Sequence, residues 1–560
     1  MTRKWLTAED AERLLDEEDL ESSDDEYLSS DDGEVDHVSD YASSDSSVES
    51  DSEDVPLTTA ATSFLSRNKS VCWSSNPVEH LGGRAPVHNI IHTTPGPSRF
   101  ANRQCGSVVD SFMLFLRQPL LETIRKWTNA EGEVVYNREW KNLDAEEFKN
   151  FIGVVILIGV YKSGNENATQ LWSKDNGRPI FNKIMSRARF QQILRVLRFD
   201  DAKNRRRNRS LDKLQPIREV FDTWDSYLRD AYIPGACMTV DEQLLCFRGR
   251  CPFRQYIPSK PGKYGIKIWT ICDSNTFYAW KMQVYLGKND NAPREVNQST
   301  RVVLDMTKEI ELSGRNITCD NFFTSLSLAR NLLDKKLTIV GTLRKNKPEL
   351  PPQFTVAKGR EAKSTLFGFQ DDAMIASYCP KKYRIVPMLS TMHSQPDIDA
   401  NSSDQKPEVI LYYNATKGGV DTLDRMVRTY TCKRMTRRWP VVLFYNMIDV
   451  SAVNAFIVWL ELNGESPSIS VKKRRNFLLE LGKELAGVNT QPDLSQRVSV
   501  PSASAQKRRN KNDLGNAPKL KRQRCSLCDR SKDKKTSLVC YICKKYVCSG
   551  HSKTICHQCC

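Results

Sequence analysis

The chain begins with little positive charge: residues 1–54 hold 3 Lys and Arg against 21 Asp and Glu. That acidic start, without an apolar core segment, does not match a secretory signal, and the expectation is an intracellular protein. Long uninterrupted apolar runs are missing too. The longest, VVLFYNMIDVSAVNAFIVWL at 441–460, is broken by Asn446, Asp449, Ser451 and Asn454. A buried amphipathic helix fits it better than a membrane span, so no membrane partner is expected. No internal repeat is visible, which argues against solenoids and propellers. Disulfides are not expected either, because the 17 cysteines are placed for metal and the compartment is reducing.

What is present is a long, basic, unevenly charged chain. Its 560 residues suggest roughly three or four domains. The acidic start carries −18 and the whole chain +15, so residues 55–560 carry +33. A body that basic suggests a polyanionic partner, and nucleic acid is the first candidate. Residues 1–95 read as an acidic tail. Its first 70 or so residues, rich in Ser, Asp and Glu, bury too little apolar surface to offset their ordering entropy and are expected to be disordered.

From about residue 107 apolar residues recur at three- and four-residue spacing, as in DAEEFKNFIGVVILIGVYKSG and QPIREVFDTWDSYLRDAYIPG. This predicts a helical region running to about residue 265. The period then changes. YGIKIWTICDSN and TFYAWKMQVYLG read as two strands around a turn at Asp273-Ser274-Asn275. A helix (TRVVLDMTKEIELSG), a strand (NITCDNFF), a helix (SLSLARNLLDKK) and a strand (LTIVGTLR) follow. Residues 347–407 interrupt the pattern with Pro-rich and polar stretches and are expected to be an insertion. VILYYNAT resumes as a strand, and GVDTLDRMVRTYT opens a helix. Strands followed by alternating helix and strand predict an α/β layer with a mixed sheet.

Three aspartates stand at the ends of predicted elements. Asp273 closes a strand, Asp320 follows another, and Asp421 begins a helix after Lys417-Gly418-Gly419. Each alone is most simply a turn or cap residue. Asp421 and its same-face neighbour Asp424 also suit a helix start, where the dipole favours acid. Gathered at one sheet edge, however, three hard oxygen donors can cradle two Mg²⁺ ions and serve displacement at phosphorus. Spacing alone does not decide between these readings.

At the other end, Cys525-x2-Cys528, Cys540-x2-Cys543, Cys548-x2-His551 and Cys556-x2-Cys559 place four ligand pairs within 35 residues. That is the spacing of two tetrahedral Zn²⁺ sites, with their connectivity left open. Ubiquitin-ligase and chromatin-reader fingers have similar spacing. KRR (507–509) and KLKRQR (519–524) read as nuclear-import signals, which predicts a place in the nucleus.

The blocks TVDEQLLCFRGRCPFRQYIPSKPGKYGIKI (239–268), CDS (272–274), RNITCDNFFTS (315–325), LTIVGTLRKNK (337–347), YYNATKGGVDTLDRM (412–426) and RRWP (437–440) resemble the piggyBac transposases. The resemblance runs from about residue 95 to the C-terminus. It implies an RNase H-like catalytic domain with an insertion, flanked by a helical dimerisation and DNA-binding domain, plus a small cross-brace zinc finger. The implied divisions are helical 96–265, catalytic 266–346, insertion 347–407, catalytic 408–430, helical 431–500, basic linker 501–524 and zinc module 525–560. The family's catalytic, Mg²⁺-holding aspartates are carried to Asp273, Asp320 and Asp421, with a further important one at Asp424. Its cross-brace pairing implies one zinc on Cys525, Cys528, Cys548 and His551, and a second on Cys540, Cys543, Cys556 and Cys559.

The family excises transposons through a DNA hairpin and inserts them at TTAA. The implied partners are therefore double-stranded DNA, with its terminal inverted repeats, and a second copy of the chain. Arg344 and Lys347 match basic family positions near DNA. Arg434, Arg437, Arg438 and Trp439 are further expected contacts, since a Trp among arginines can stack on an unpaired base for roughly 1–3 kcal/mol. The same Trp439 can equally pack in the core ahead of Pro440. The alternative to an active transposase is a host-recruited descendant that binds DNA without cutting it.

Overall fold

A computed structural model describes residues 63–77, 91 and most of 93–488, with gaps at 202–211, 288–294, 400–402 and 466–469 and at 259, 261 and 371, together with residues 523–524 and 535–536. The expected disordered stretch before residue 63 and all eight expected zinc ligands lie outside the described residues. The chain divides into two units, 1–491 and 492–560. In the second, Gln523–Arg524 pairs antiparallel with Lys535–Thr536.

The first unit is built on one mixed sheet of eleven strands. In chain order the strands are β1 (Ser63–Leu65), β2 (Cys72–Ser74), β3 (Gly96–Pro97), β4 (Tyr232–Ile233), β5 (Cys237–Cys246), β6 (Gln255–Tyr256), β7 (Tyr264–Asp273), β8 (Ala279–Val284), β9 (Asn316–Cys319), β10 (Thr338–Thr342), β11 (Ser364–Phe369), β12 (Met374–Lys381) and β13 (Arg384–Ser390). β3 and β4 pair with each other apart from the sheet. The rest run in the order β1-β2-β11-β12-β13-β10-β9-β5-β7-β6, with β8 also on β7. At the centre β5 lies antiparallel to β7 and parallel to β9, and β9 lies parallel to β10.

The longer helices are α1 (Gln118–Tyr136), α2 (Ala145–Val160), α3 (Arg187–Val196) and α4 (Arg218–Ala231) ahead of β5, with α5 (Gln298–Thr307) and α6 (Leu326–Asp334) between the later strands. After the sheet come α7 (Glu408–Thr416), α8 (Gly419–Thr429), α9 (Trp439–Leu462) and α10 (Val471–Leu485). α9 is long and apolar enough to cross a membrane, yet its apolar window is entirely buried inside this unit. It is therefore not amphipathic as expected but enclosed on all sides. Its polar side chains find protein partners instead of water. Asn446 donates to Gln243 of β5 (3.1 Å), Ser451 accepts from Trp224 of α4 (2.9 Å), and Asn454 both accepts from and donates to the Ala279 backbone of β8 (2.9 and 2.8 Å). A buried polar group is costly unless bonded, so these contacts fix where α9 sits against the sheet.

Four expectations about elements change. Residues 237–246, expected within the helical region, are β5, the strand between β7 and β9. Residues 364–390, expected to interrupt the pattern, are β11 to β13, and β13 joins β10 so that the segment continues the main sheet. VILYYNAT is the helix α7: Pro407 stands at its N-cap and Glu408 in its first turn, and Val409, Ile410, Tyr412 and Tyr413 pack on the apolar cluster of β10 to β13. Tertiary packing there overrides β-branched bias. Finally, part of the expected tail is ordered, since β1 and β2 form a hairpin whose Trp73 is fully buried.

Candidate active site

β5 and β9 run parallel with Val240 opposite Cys319. Asp241, inside β5, and Asp320, the residue that follows the end of β9, therefore stand next to each other, about 5 Å apart by strand spacing. Both are half-buried. Burial, then Glu242 and the partner acid, raises the Asp241 carboxyl well above its ordinary value. Burial and then Glu242 raise Asp320 to about 6, although its carboxylate accepts the Phe322 N–H at 2.9 Å. Neighbouring carboxylates raised in this way by burial and by the Glu242 charge gain from a shared cation.

Alternation along β5 puts Thr239, Asp241 and Gln243 on one face, and α8 lies on it. The close approach explains Gly419: a Cβ there would meet Thr239 Oγ1 at 2.5 Å and Cys272 Sγ at 2.8 Å. Asp421 occupies the first turn of α8, with its side chain 69% exposed and 3.8 Å from Lys260 Nζ. Asp241 feels the charges of both Lys260 and Asp421. Lys260 thus stands among the acids, and so does Lys267, whose Nζ lies 3.4 Å from Glu242 Oε2. Asp424, one turn on, accepts from Gln243 Nε2 at 3.1 Å and pairs with Arg428 at 2.6 Å. Burial raises its pKa despite Arg428.

Asp273 does not belong to this group. It ends β7 opposite Met238, three residues down β5 from Asp241. Its buried carboxylate accepts backbone N–H groups from Gly235 (2.6 Å), Asn275 (2.9 Å) and Thr276 (2.9 Å). It closes the β7–β8 turn and ties it to the chain before β5. The residue that reasoning from strand ends missed is Asp241, which sits inside a strand. The alternating MTVDEQLL run, with its Thr-Val pair, was the available signal.

No three Asp, Glu, His or Cys side chains among the described residues stand close enough together to chelate an ion as they are. The donor set nevertheless suits a hard divalent cation: carboxylate oxygens, two of them on half-buried side chains and a third on an exposed one.

The expected DNA contacts divide into two kinds. Arg344 is exposed, donates to Asn321 Oδ1 at 3.4 Å, lies over the Phe322 ring at 5.7 Å and offsets the Asp320 charge. Lys347 is half-buried in the same loop, and Arg437 is exposed. Arg434 and Arg438 are instead taken up by the protein. Arg434 is buried and donates to Glu166 O at 3.0 Å. Arg438 donates to Leu194 O (2.9 Å), Arg195 O (3.2 Å) and Leu197 O, covering carbonyls left unpaired where α3 ends. Burial pushes its pKa down to about 9. Trp439 is half-buried and packs edge-on to Phe253 at 5.0 Å.

A second basic surface borders the acids. Residues 243–272 contain six Lys and Arg and no Asp or Glu. Tyr256 and Tyr264, 55% and 40% exposed, lean on each other at 4.7 Å, with Arg254 5.4 Å from the Tyr264 ring.

Comparison with known proteins decides the family. A family model described as Transposase IS4 matches residues 107–456, more than half of the chain. The chain belongs to the piggyBac-type transposase family. The human PiggyBac transposable element-derived protein 3 is 23% identical over 356 residues, covering 60% of this chain and 58% of its own length. The human PiggyBac transposable element-derived protein 5 is 25% identical over 206 residues, covering 34% of this chain and 37% of its own length. The match thus spans little more than half of the first relative. A piggyBac transposase synaptic complex with hairpin DNA, solved by cryo-EM, is 34% identical with a TM-score of 0.66, and the match covers 83% of this chain and all of that one. The mixed α/β fold of this chain is the fold of that piggyBac transposase.

Proposed function

We propose that the protein cuts and rejoins DNA strands as an active transposase, excising a transposon through a hairpin intermediate and inserting it at TTAA. The observation that carries the reading is the placement of Asp241, inside β5, next to Asp320, just past the end of the parallel strand β9, with Asp421 on the helix that lies across β5. Three antiparallel strands followed by two parallel ones (β8-β7-β5-β9-β10) support an RNase H-like core around them. Asp241, Asp320 and Asp421 would hold Mg²⁺. When bound, Mg²⁺ activates the attacking oxygen and steadies the leaving one in displacement at phosphorus.

The chain's own residues do the rest. Lys260 offers an ammonium to a phosphate beside Asp421. Arg344, Lys347 and Arg437 bind the backbone by charge, as phosphate contacts do in most protein–DNA complexes. Gln243 fixes Asp424, which steadies α8. The flanking helices serve dimerisation and DNA binding, and the cysteine-rich end holds two Zn²⁺ ions in a nuclear protein. A descendant that binds without cutting has less in its favour, because the acid group is intact.

A plasmid excision assay with matched transposon ends tests the assignment. Asp241→Asn, Asp320→Asn and Asp421→Asn should each reduce Mg²⁺-dependent cutting to background while DNA affinity is kept. Asp273→Ala should keep the chemistry of the folded protein and cost roughly 1–3 kcal/mol of stability, from backbone donors left unpaired. Cutting by the Asp241→Asn protein would refute the site.

A further inference from the structure

Residues 63–77 do more than widen the sheet. One side of the β1–β2 hairpin is bridged to β11 through Ser74 and Phe369, and Gln370 Nε2 donates to Cys72 O at 3.1 Å. The other side grips the loop that follows β10. Arg67 N donates to Leu350 O and Asn68 N to Pro348 O, each at 3.3 Å. Arg67 Nη2 donates to Lys345 O and to Thr355 Oγ1, each at 2.7 Å. The fully buried Trp73 donates Nε1–H to Glu349 O at 3.1 Å. Phe64 packs edge-on to Phe354 at 5.2 Å.

Carbonyls of residues 345, 348, 349 and 350 thus end on a strap almost 280 positions away in sequence. The loop they belong to begins at Arg344, which donates to Asn321 Oδ1 at 3.4 Å and lies over the Phe322 ring, the two residues that follow Asp320. It carries three cations in four residues, Arg344, Lys345 and Lys347. Like charges so close repel, and a surface loop with no outside anchor would spread them.

We propose that this strap is a positioning element of the active site: it holds the 344–350 loop so that Arg344 stays beside Asp320 when a DNA strand enters, and Arg67 is its principal positioning residue. The activity half of the inference rests on the function proposed above. The structural half does not.

The test is Arg67→Ala in the full-length protein. Arg67 is exposed, so the variant loses side-chain hydrogen bonds without opening a cavity. By hydrogen exchange, the Lys347 and Leu350 amides, bonded to Arg344 O and Lys347 O at 3.2 Å, should exchange about tenfold faster, with β5 and β9 unchanged. Unaltered exchange in this loop overturns the proposal whether or not the protein cuts DNA. Cutting should fall about tenfold in Arg67→Ala and recover partly in Arg67→Lys, which keeps a cationic donor group. On an Arg344→Ala background the same change should have no further effect, because coupled residues are not additive. An equal loss on both backgrounds, or no loss on either, overturns it. A wild-type protein that does not cut at all removes the proposed function, and the exchange measurement then decides the strap alone.

Discussion

Asp424 and Asp421 share one helix face but not one role. Asp421 is exposed at the acid group, while Asp424 is held between Gln243 and Arg428. Gln243 is the hinge of a buried polar line: its amide N–H donates to Asp424, and its amide oxygen accepts from Asn446 of α9 at 3.1 Å. Replacing it by Leu would strand Asn446 and strip a donor from Asp424, each buried group left unpaired costing roughly 1–3 kcal/mol. The expected result for Gln243→Leu is weaker cutting together with a higher Mg²⁺ requirement, read from cleavage across a Mg²⁺ titration. Lower stability with an unchanged Mg²⁺ requirement would make Gln243 a core residue and nothing more. The same scale explains why Asp273 misled. A carboxylate closing a strand looks the same in sequence whether it faces a ligand or three backbone amides, and only the amides around Asp273 distinguish the two.

α9 makes the corresponding case for elements. Its buried Asp449 accepts from Thr431 Oγ1 at 2.5 Å and from Cys432 N at 2.8 Å. Burial pushes this carboxyl up to about 7, against the pull of Lys433, and Arg474 lines the same small cavity. An unfolded aspartate titrates near ~3.9. Between those values the folded chain keeps a proton that the unfolded chain has lost. The stabilisation is therefore complete at low pH and is lost as pH rises through about 7. The thermal midpoint of the wild type should fall between pH 5 and pH 8, whereas Asp449→Asn, neutral throughout, should give a flatter profile. Parallel profiles would rule this out. Elements marked by a short apolar run or a one-sided apolar period were legible in the sequence: β7, β8, β9, β10 and α8 lie where these patterns placed them. β5 was not, because its α8-facing side carries Thr239, Asp241 and Gln243, a polar row whose Thr239 and Gln243 find partners on neighbouring elements. α7 was not, because VILYY has strand bias and only its packing on β10 to β13 settles it. Of the acids that the fold brings together, Asp320 and Asp421 were legible in the sequence. Asp241 stayed hidden together with the strand that bears it.

Across the whole molecule the deciding quantity is charge. Residues 1–54 carry −18 and the remainder +33, so a net of +15 understates how basic the body is. The acidic residues are tethered to that body through the strap at 63–77, whose partner is the loop of Arg344, Lys345 and Lys347. A tethered polyanion meets nearby cations at high effective concentration, so we propose that it competes with DNA for them. Deleting residues 1–54 leaves the strap in place and removes the competitor. Non-specific DNA binding at 50 mM salt should then tighten, and the slope of log K against log salt should steepen, because more phosphates engage cations and more counterions are released. The gain should shrink as salt rises, since the Debye length falls from about 10 Å at 0.1 M to about 3 Å at 1 M. Equal affinity of the full-length and shortened proteins at low salt would show that the acidic residues do not reach the DNA-binding surface. A gain that persists at high salt would mean that they obstruct it by bulk and not by charge.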